Sequence, residues 1–174
     1  MAKPSYYAPQ GGLPEQTRLL TDRAVFTNAY AIIPKGVQQD IVTSFLPFWE
    51  KTRLWVLSRP LSGFAETFSQ YIMEVAPGGG SQKPEIDPAA EAVLFVVDGE
   101  LSLTLDGTAY TMAAGGYAFI PPGANWTAQN SATDVVRFHW IRKAYDVVDG
   151  IDLPPAFVTN EQDIAPTPMP KTDG

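Results

Sequence analysis

The chain has 174 residues, no cysteine, a single histidine (His139) and a net charge of −7. The length suits one domain that can bury a sizeable core. The missing thiols exclude disulfides and thiolate metal sites, and the acidic balance disfavours phosphate backbones, so no nucleic-acid partner is expected.

The N-terminus, MAKPSYYAPQGGLPEQTR, has no apolar segment of the secretory kind, and no stretch reaches the length of a membrane span. A cytoplasmic protein with no membrane partner is the expectation. Residues 1–20 are polar and rich in Pro and Gly and read as an N-terminal arm. The barrel domain is expected over residues 21–146. Asp22–Ile33 reads as a first strand region, closed by Pro34-Lys35-Gly36 as a turn. Leu54–Ser58 and Phe64–Val75 follow as strands. In the second, both alternating sets of residues are mixed in polarity, so periodicity does not say which face points inward. Phe45, Phe48, Trp49 and Trp55 form an aromatic run expected to contribute apolar surface.

Ala92–Met112 is the best-defined unit. AVLFVV reads as a buried strand, Asp98-Gly99-Glu100 as a turn, and LSLTL as a strand with Leu101, Leu103 and Leu105 on one face. Asp106-Gly107 is a hairpin signal. Short strands continue at Tyr117–Ile120 and Trp126–Gln129, joined by Pro121-Pro122-Gly123. The last, Val135–Ile141, sets Val136, Phe138, Trp140 and Arg142 on one side. Many short strands, 14 Gly, 16 Pro and no long amphipathic helix predict an all-β, antiparallel barrel or sandwich. After Tyr145 the chain turns Pro-rich, and residues 147–174 read as a semi-rigid linker or tail.

Two spacings carry the most information. Gly115, Pro121, Gly123 and Asn130 stand at G-x5-P-x-G-x2-(H)-x3-N, with Trp126 at the bracketed position. Upstream, Gly78–Gly80 and Gly99 frame a degenerate G-x5-H-x-H-x3,4-E-x6-G, in which Ile86, Pro88 and Ala92 occupy the histidine, histidine and glutamate positions. Glu91 is one residue away, which in a strand is the opposite face. The pattern resembles the two motifs of the cupin β-barrels, whose metal-binding members place ligands at those four positions. That resemblance implies a single cupin barrel, or jelly-roll, with the ligand positions degenerate at Ile86, Pro88, Ala92 and Trp126, hence no metal and no cofactor in this chain.

A wider resemblance adds to this. TDRAVFTNAYAIIPKG, SFLPFWEKTRLWVLSRPL, FSQYIMEVAPGGG, AVLFVVDGELSLTLDG, GGYAFIPPG and RFHWIRKAYD resemble the N-terminal half of a bicupin family, the (S)-ureidoglycine aminohydrolases of allantoin breakdown. The resemblance implies a metal-free scaffold domain. The family's second cupin holds manganese through a glutamate, two histidines and a glutamine. The implied partners are that second cupin domain and, in a homo-oligomer, further copies of this chain. The alternative is a stand-alone, metal-free cupin that binds a small ligand or a protein.

For individual residues two readings stand side by side. Trp126 is core filler, or it lines a residual apolar pocket with Phe138 and Trp140. Arg142 is a solvent-exposed strand end, or it binds a carboxylate at the barrel mouth, for which its planar fork is suited. Glu85, Asp87 and Glu91 form a solvated acidic loop or a hard-cation site. Gly78-Gly79-Gly80 lacks the Lys-Ser/Thr and helix of a phosphate-binding loop and reads as a flexible rim loop. His139, facing away from Trp140, reads as a structural residue.

Overall fold

A computed structural model of the protein describes residues 25–26, 30–33, 46–58 and 67–167. Two short strands, β1 (Val25–Phe26) and β2 (Ala31–Ile32), pair with each other, so the region expected as one strand is divided. The proposed arm, residues 1–20, lies outside the described residues. The barrel is built from β3 (Glu50–Ser58), β4 (Phe68–Ser81), β5 (Ala90–Asp98), β6 (Glu100–Leu105), β7 (Thr108–Ala113), β8 (Gly116–Ile120), β9 (Trp126–Gln129), β10 (Val136–Ala144) and β11 (Phe157–Asn160). All pairings are antiparallel, in the order β11-β8-β5-β10-β4-β9-β6-β7, with β3 also on β4, and the sheet curls into a near-closed barrel. Among the described residues no helix is long and apolar enough to cross a membrane.

The alternation left open by the sequence is decided on β4. Tyr71, Met73 and Val75 face the core, while Glu74 on the other face meets Arg53 of β3 and Arg137 of β10, the latter at 2.8 Å, and Arg137 reaches on to Asp98 at 3.1 Å. The outer face of β4 is buried as well, with Ile72 4% and Glu74 8% exposed, and side chains of the flanking β3 and β10 meet Glu74 there, so that face accepts both an apolar and a charged residue. Leu101, Leu103 and Leu105 point inward as the clean alternation requires. Each contributes about 1.5–3 kcal/mol by burial.

The glycine-rich run is not a rim loop. Gly78, Gly79 and Gly80 belong to β4 and carry it from its pairing with β10 to a pairing with β9. Gly80 has φ +136°, and a Cβ there would lie 2.7 Å from Gln129 Cα and collide with the Ala128 carbonyl oxygen. Asn130 closes this corner: buried, it donates to the carbonyls of Val75 and Asp134, both at 2.8 Å, and accepts from the Ala132 amide at 3.0 Å. The hairpin at Asp106-Gly107 has positive φ at both residues, +48° and +82°, matching the twist of β6 and β7.

The Pro-rich segment 147–174 is more than a connector. Its residues 157–160 form β11, which extends the sheet on β8, and Phe157 stacks on Tyr117 at 5.6 Å. Asn160 then caps a short 3-10 turn, Glu161–Asp163. Proline-rich composition hides this strand, because four ordinary residues suffice to pair with an open edge.

Candidate functional site

The site lies at one end of the barrel, where β10 finishes and the loop between β4 and β5 returns. Alternation along β10 turns Arg142 toward the interior beside Ala92, its register partner on β5. Its guanidinium makes a two-pronged contact with Glu85 from that loop, Nε to Oε2 at 2.6 Å and the NH2 nitrogen to Oε1 at 2.7 Å. Glu85 Oε1 also accepts from the amides of Ile86 and Asp87, at 3.0 and 2.9 Å, so the loop is wound around its own carboxylate. The Glu85 side chain is 9% exposed and that of Arg142 is 28% exposed. Burial by itself lowers the Arg142 pKa, but hydrogen bonding to and the charge of Glu85, with Tyr71, outweigh it and raise it. The guanidinium carbon lies 6.0 Å from the Trp140 ring centre.

Beneath the pair the interior is aromatic. Trp140 is surrounded by Trp49 at 5.7 Å, Tyr71 at 5.6 Å and Trp126, edge-on, at 6.1 Å between centroids, and Trp49 also approaches Phe138 at 6.2 Å. These are the spacings at which ring edges and faces attract. Trp126, 5% exposed, fills the barrel below its strand. A cavity of about 470 Å³ opens above this floor, walled by Leu46, Phe48, Leu54, Tyr71, Ile86 and Trp140 with Arg142. On the far side of the 85–87 loop a smaller depression of about 240 Å³ is bounded by Pro121, Asn125 and Trp126.

The four degenerate positions separate in space. Ala92 and Trp126 face the interior, Ile86 is 63% exposed on the loop, and Pro88 sits in the turn before β5. None offers a side-chain donor, and among the described residues no three His, Cys, Asp or Glu side chains gather where a metal could be held. The residues at the barrel centre do not fit a metal ion. Of the pocket set, Trp140 and Arg142 line the larger cavity, Trp126 the smaller depression, and Phe138 is wholly buried and lines neither.

Of the two readings of Arg142, the structure shows the inward one, with a carboxylate of the chain itself, Glu85, as the partner, so Glu85 is not part of a solvated acidic loop. Asp87 instead accepts from the Ala89 amide at 3.0 Å and shapes the turn. His139 faces outward on β10, 3.4 Å from the Gln70 amide nitrogen, and burial lowers its pKa from 6.5. Trp49 and Tyr71 were not singled out for the site. Trp49, grouped by sequence with the exposed aromatics, is 7% exposed, while its neighbour Phe48 is exposed. Phe48 has φ +67°, a local reversal of the backbone at the point where an exposed ring is followed by a buried one, and both rings line the same cavity.

These features define a barrel of the cupin fold, and residues 71–142 match the family model Cupin_2, cupin domain. The chain is 26% identical over 134 residues to the (S)-ureidoglycine aminohydrolase of Escherichia coli, covering 76% of this chain and 49% of that protein. It is similar to the crystal structure of a glyoxylate-induced protein from Pseudomonas aeruginosa, with 67% identity, TM-score 0.80, and coverage of 97% of this chain and 61% of the other. The protein YlbA of E. coli, at 22% identity and TM-score 0.75 over 87% of this chain and 61% of its own, shares the fold. The chain thus spans about half the length of the curated relative it matches.

Proposed function

We propose that this barrel is the metal-free scaffold cupin of a manganese-dependent (S)-ureidoglycine aminohydrolase, an enzyme of allantoin and purine breakdown. The hydrolysis of (S)-ureidoglycine to (S)-ureidoglycolate and ammonia would take place on a second cupin. The observation that carries the reading is an interior with Ala92 and Trp126 at donor positions, in a chain with that enzyme as a relative over 134 residues. Loss of the amine calls for a Lewis acid or a placed general base. In support of this reading, among the described residues no side chain at the barrel centre is placed to hold a metal or to act as a free base: His139 is on the outer face and Glu85 is engaged by Arg142. Its partners in this reading are the second cupin domain and copies of itself.

The test is ammonia release, corrected for spontaneous decay. The 174-residue chain alone is expected to release none above background. Joined to a cupin carrying a glutamate, two histidines and a glutamine, it is expected to turn over with dependence on manganese. Metal-independent turnover by the chain alone would sink the scaffold reading. A second reading, a stand-alone cupin that binds a small ligand, draws support from the cavity above Trp140.

A further inference from the structure

We infer that the cavity above Trp49 and Trp140 is a binding site for a small, uncharged molecule with an apolar body and a carbonyl acceptor. The inference deepens the small-ligand reading and does not depend on where any hydrolysis occurs. Its first support is a pair of unanswered donors. Trp49 and Trp140 are 7% and 4% exposed, both line the cavity, and neither indole Nε1 has a hydrogen-bond partner among the described residues. Buried indole N–H groups ordinarily find an acceptor, because leaving one unpaired costs stability. Here two unpaired donors sit on adjacent rings, 5.7 Å apart between centroids, at the same wall. Both Nε1 atoms are themselves buried, so a ring has to turn for its N–H to meet a ligand in the cavity.

Size and charge narrow the class. About 470 Å³ is within the range of small-molecule pockets, roughly 300–1,000 Å³. Leu46, Phe48, Leu54, Val56 and Ile86 supply apolar walls. Arg142, the cation among the described residues that line the cavity, already holds a carboxylate in a two-pronged contact, and Glu85 in turn meets two amides of its own loop. An anionic ligand would have to displace Glu85 or sit beside its charge. A neutral carbonyl meets no such opposition and gains the indole donors.

The experiment is a titration of the uniformly ¹⁵N-labelled 174-residue chain with δ-valerolactam, followed through the indole N–H resonances. Trp49→Phe and Trp140→Phe identify their signals, and through-space contacts to neighbouring protons do so if either variant fails to fold. The expected result is a saturable downfield shift of the Trp49 and Trp140 resonances, with Trp55 unmoved. Each folded Phe variant is expected to bind the lactam about fivefold more weakly, the loss of about one hydrogen bond. Cyclohexanecarboxylate is expected to bind at least about tenfold more weakly than the lactam, in line with the cost of opposing a like charge. The proposal is overturned if the lactam leaves both resonances in place up to its solubility limit, if all indoles shift alike, or if the carboxylate binds more tightly. The titration reads binding alone, so its failure is distinct from a failure of the ammonia assay.

Discussion

At the scale of single residues, Trp126 and His139 show how one strand position decides between packing and chemistry. Trp126 meets Trp140 edge-on at 6.1 Å in the barrel interior. Trp126→Ala is expected to destabilise the chain by about 3–5 kcal/mol, the cost of removing a large buried ring from a site that cannot collapse around it. Urea unfolding measures this, and a loss below about 1 kcal/mol would mean that the ring does not fill the core. His139 lies on the outer face of β10, between Ile72 of β4 and Phe95 of β5 in register. Burial lowers its pKa from 6.5, so the unfolded chain binds this proton more readily than the folded one. Its contribution to stability is therefore complete above 6.5 and is lost as pH falls through 6.5 toward the lowered folded value. The urea midpoint of the wild type is expected to drop between about pH 7 and pH 5, and His139→Gln should flatten that slope. Parallel slopes would show that the imidazole is not the group responsible.

At the scale of elements, the transfer of β4 from β10 to β9 is the step that closes this end of the barrel. It relies on backbone contact at Gly80, where a methyl group would press on Ala128 and Gln129. Gly80→Ala is expected to cost more than about 2 kcal/mol, combining a conformation that L side chains rarely adopt with a clash against backbone that has no rotamer to yield. Hydrogen exchange should localise the damage to the β4–β9 corner, where the Asn130 amide donates to the Gly79 carbonyl at 2.9 Å. Uniform protection across the sheet in the variant would contradict that assignment. The 85–87 loop is held in a different way, by one carboxylate that serves Arg142 and two loop amides at once.

At the scale of the whole molecule, exposed apolar side chains among the described residues include two groups. Phe48 and Ile86 stand exposed at the cavity rim, and Val147, Ile151 and Leu153 stand exposed on the segment before β11. We propose that these surfaces meet a partner, either a second cupin domain or another copy of the chain. Light scattering of the 174-residue chain is expected to give a dimer or larger species. A monomer at all accessible concentrations would count against an unmet interface.

The sequence by itself determined the class of fold, because alternation at Leu101–Leu105, the turn chemistry of Asp106-Gly107 and the spacing of Gly115, Pro121, Gly123 and Asn130 are local constraints. It also established that no donor side chain stands at Ile86, Pro88, Ala92 or Trp126, since that follows from residue identity alone. Tertiary structure alone decided the inward face of β4, because both of its faces are partly covered and hydropathy does not separate them. It alone joined Arg142 to Glu85, 57 residues apart, since an ion pair between strand and loop leaves no periodic trace. It alone divided Phe48 from Trp49 and made a strand of residues 157–160. In each case the deciding contact comes from a distant segment, and only the folded chain brings the two together.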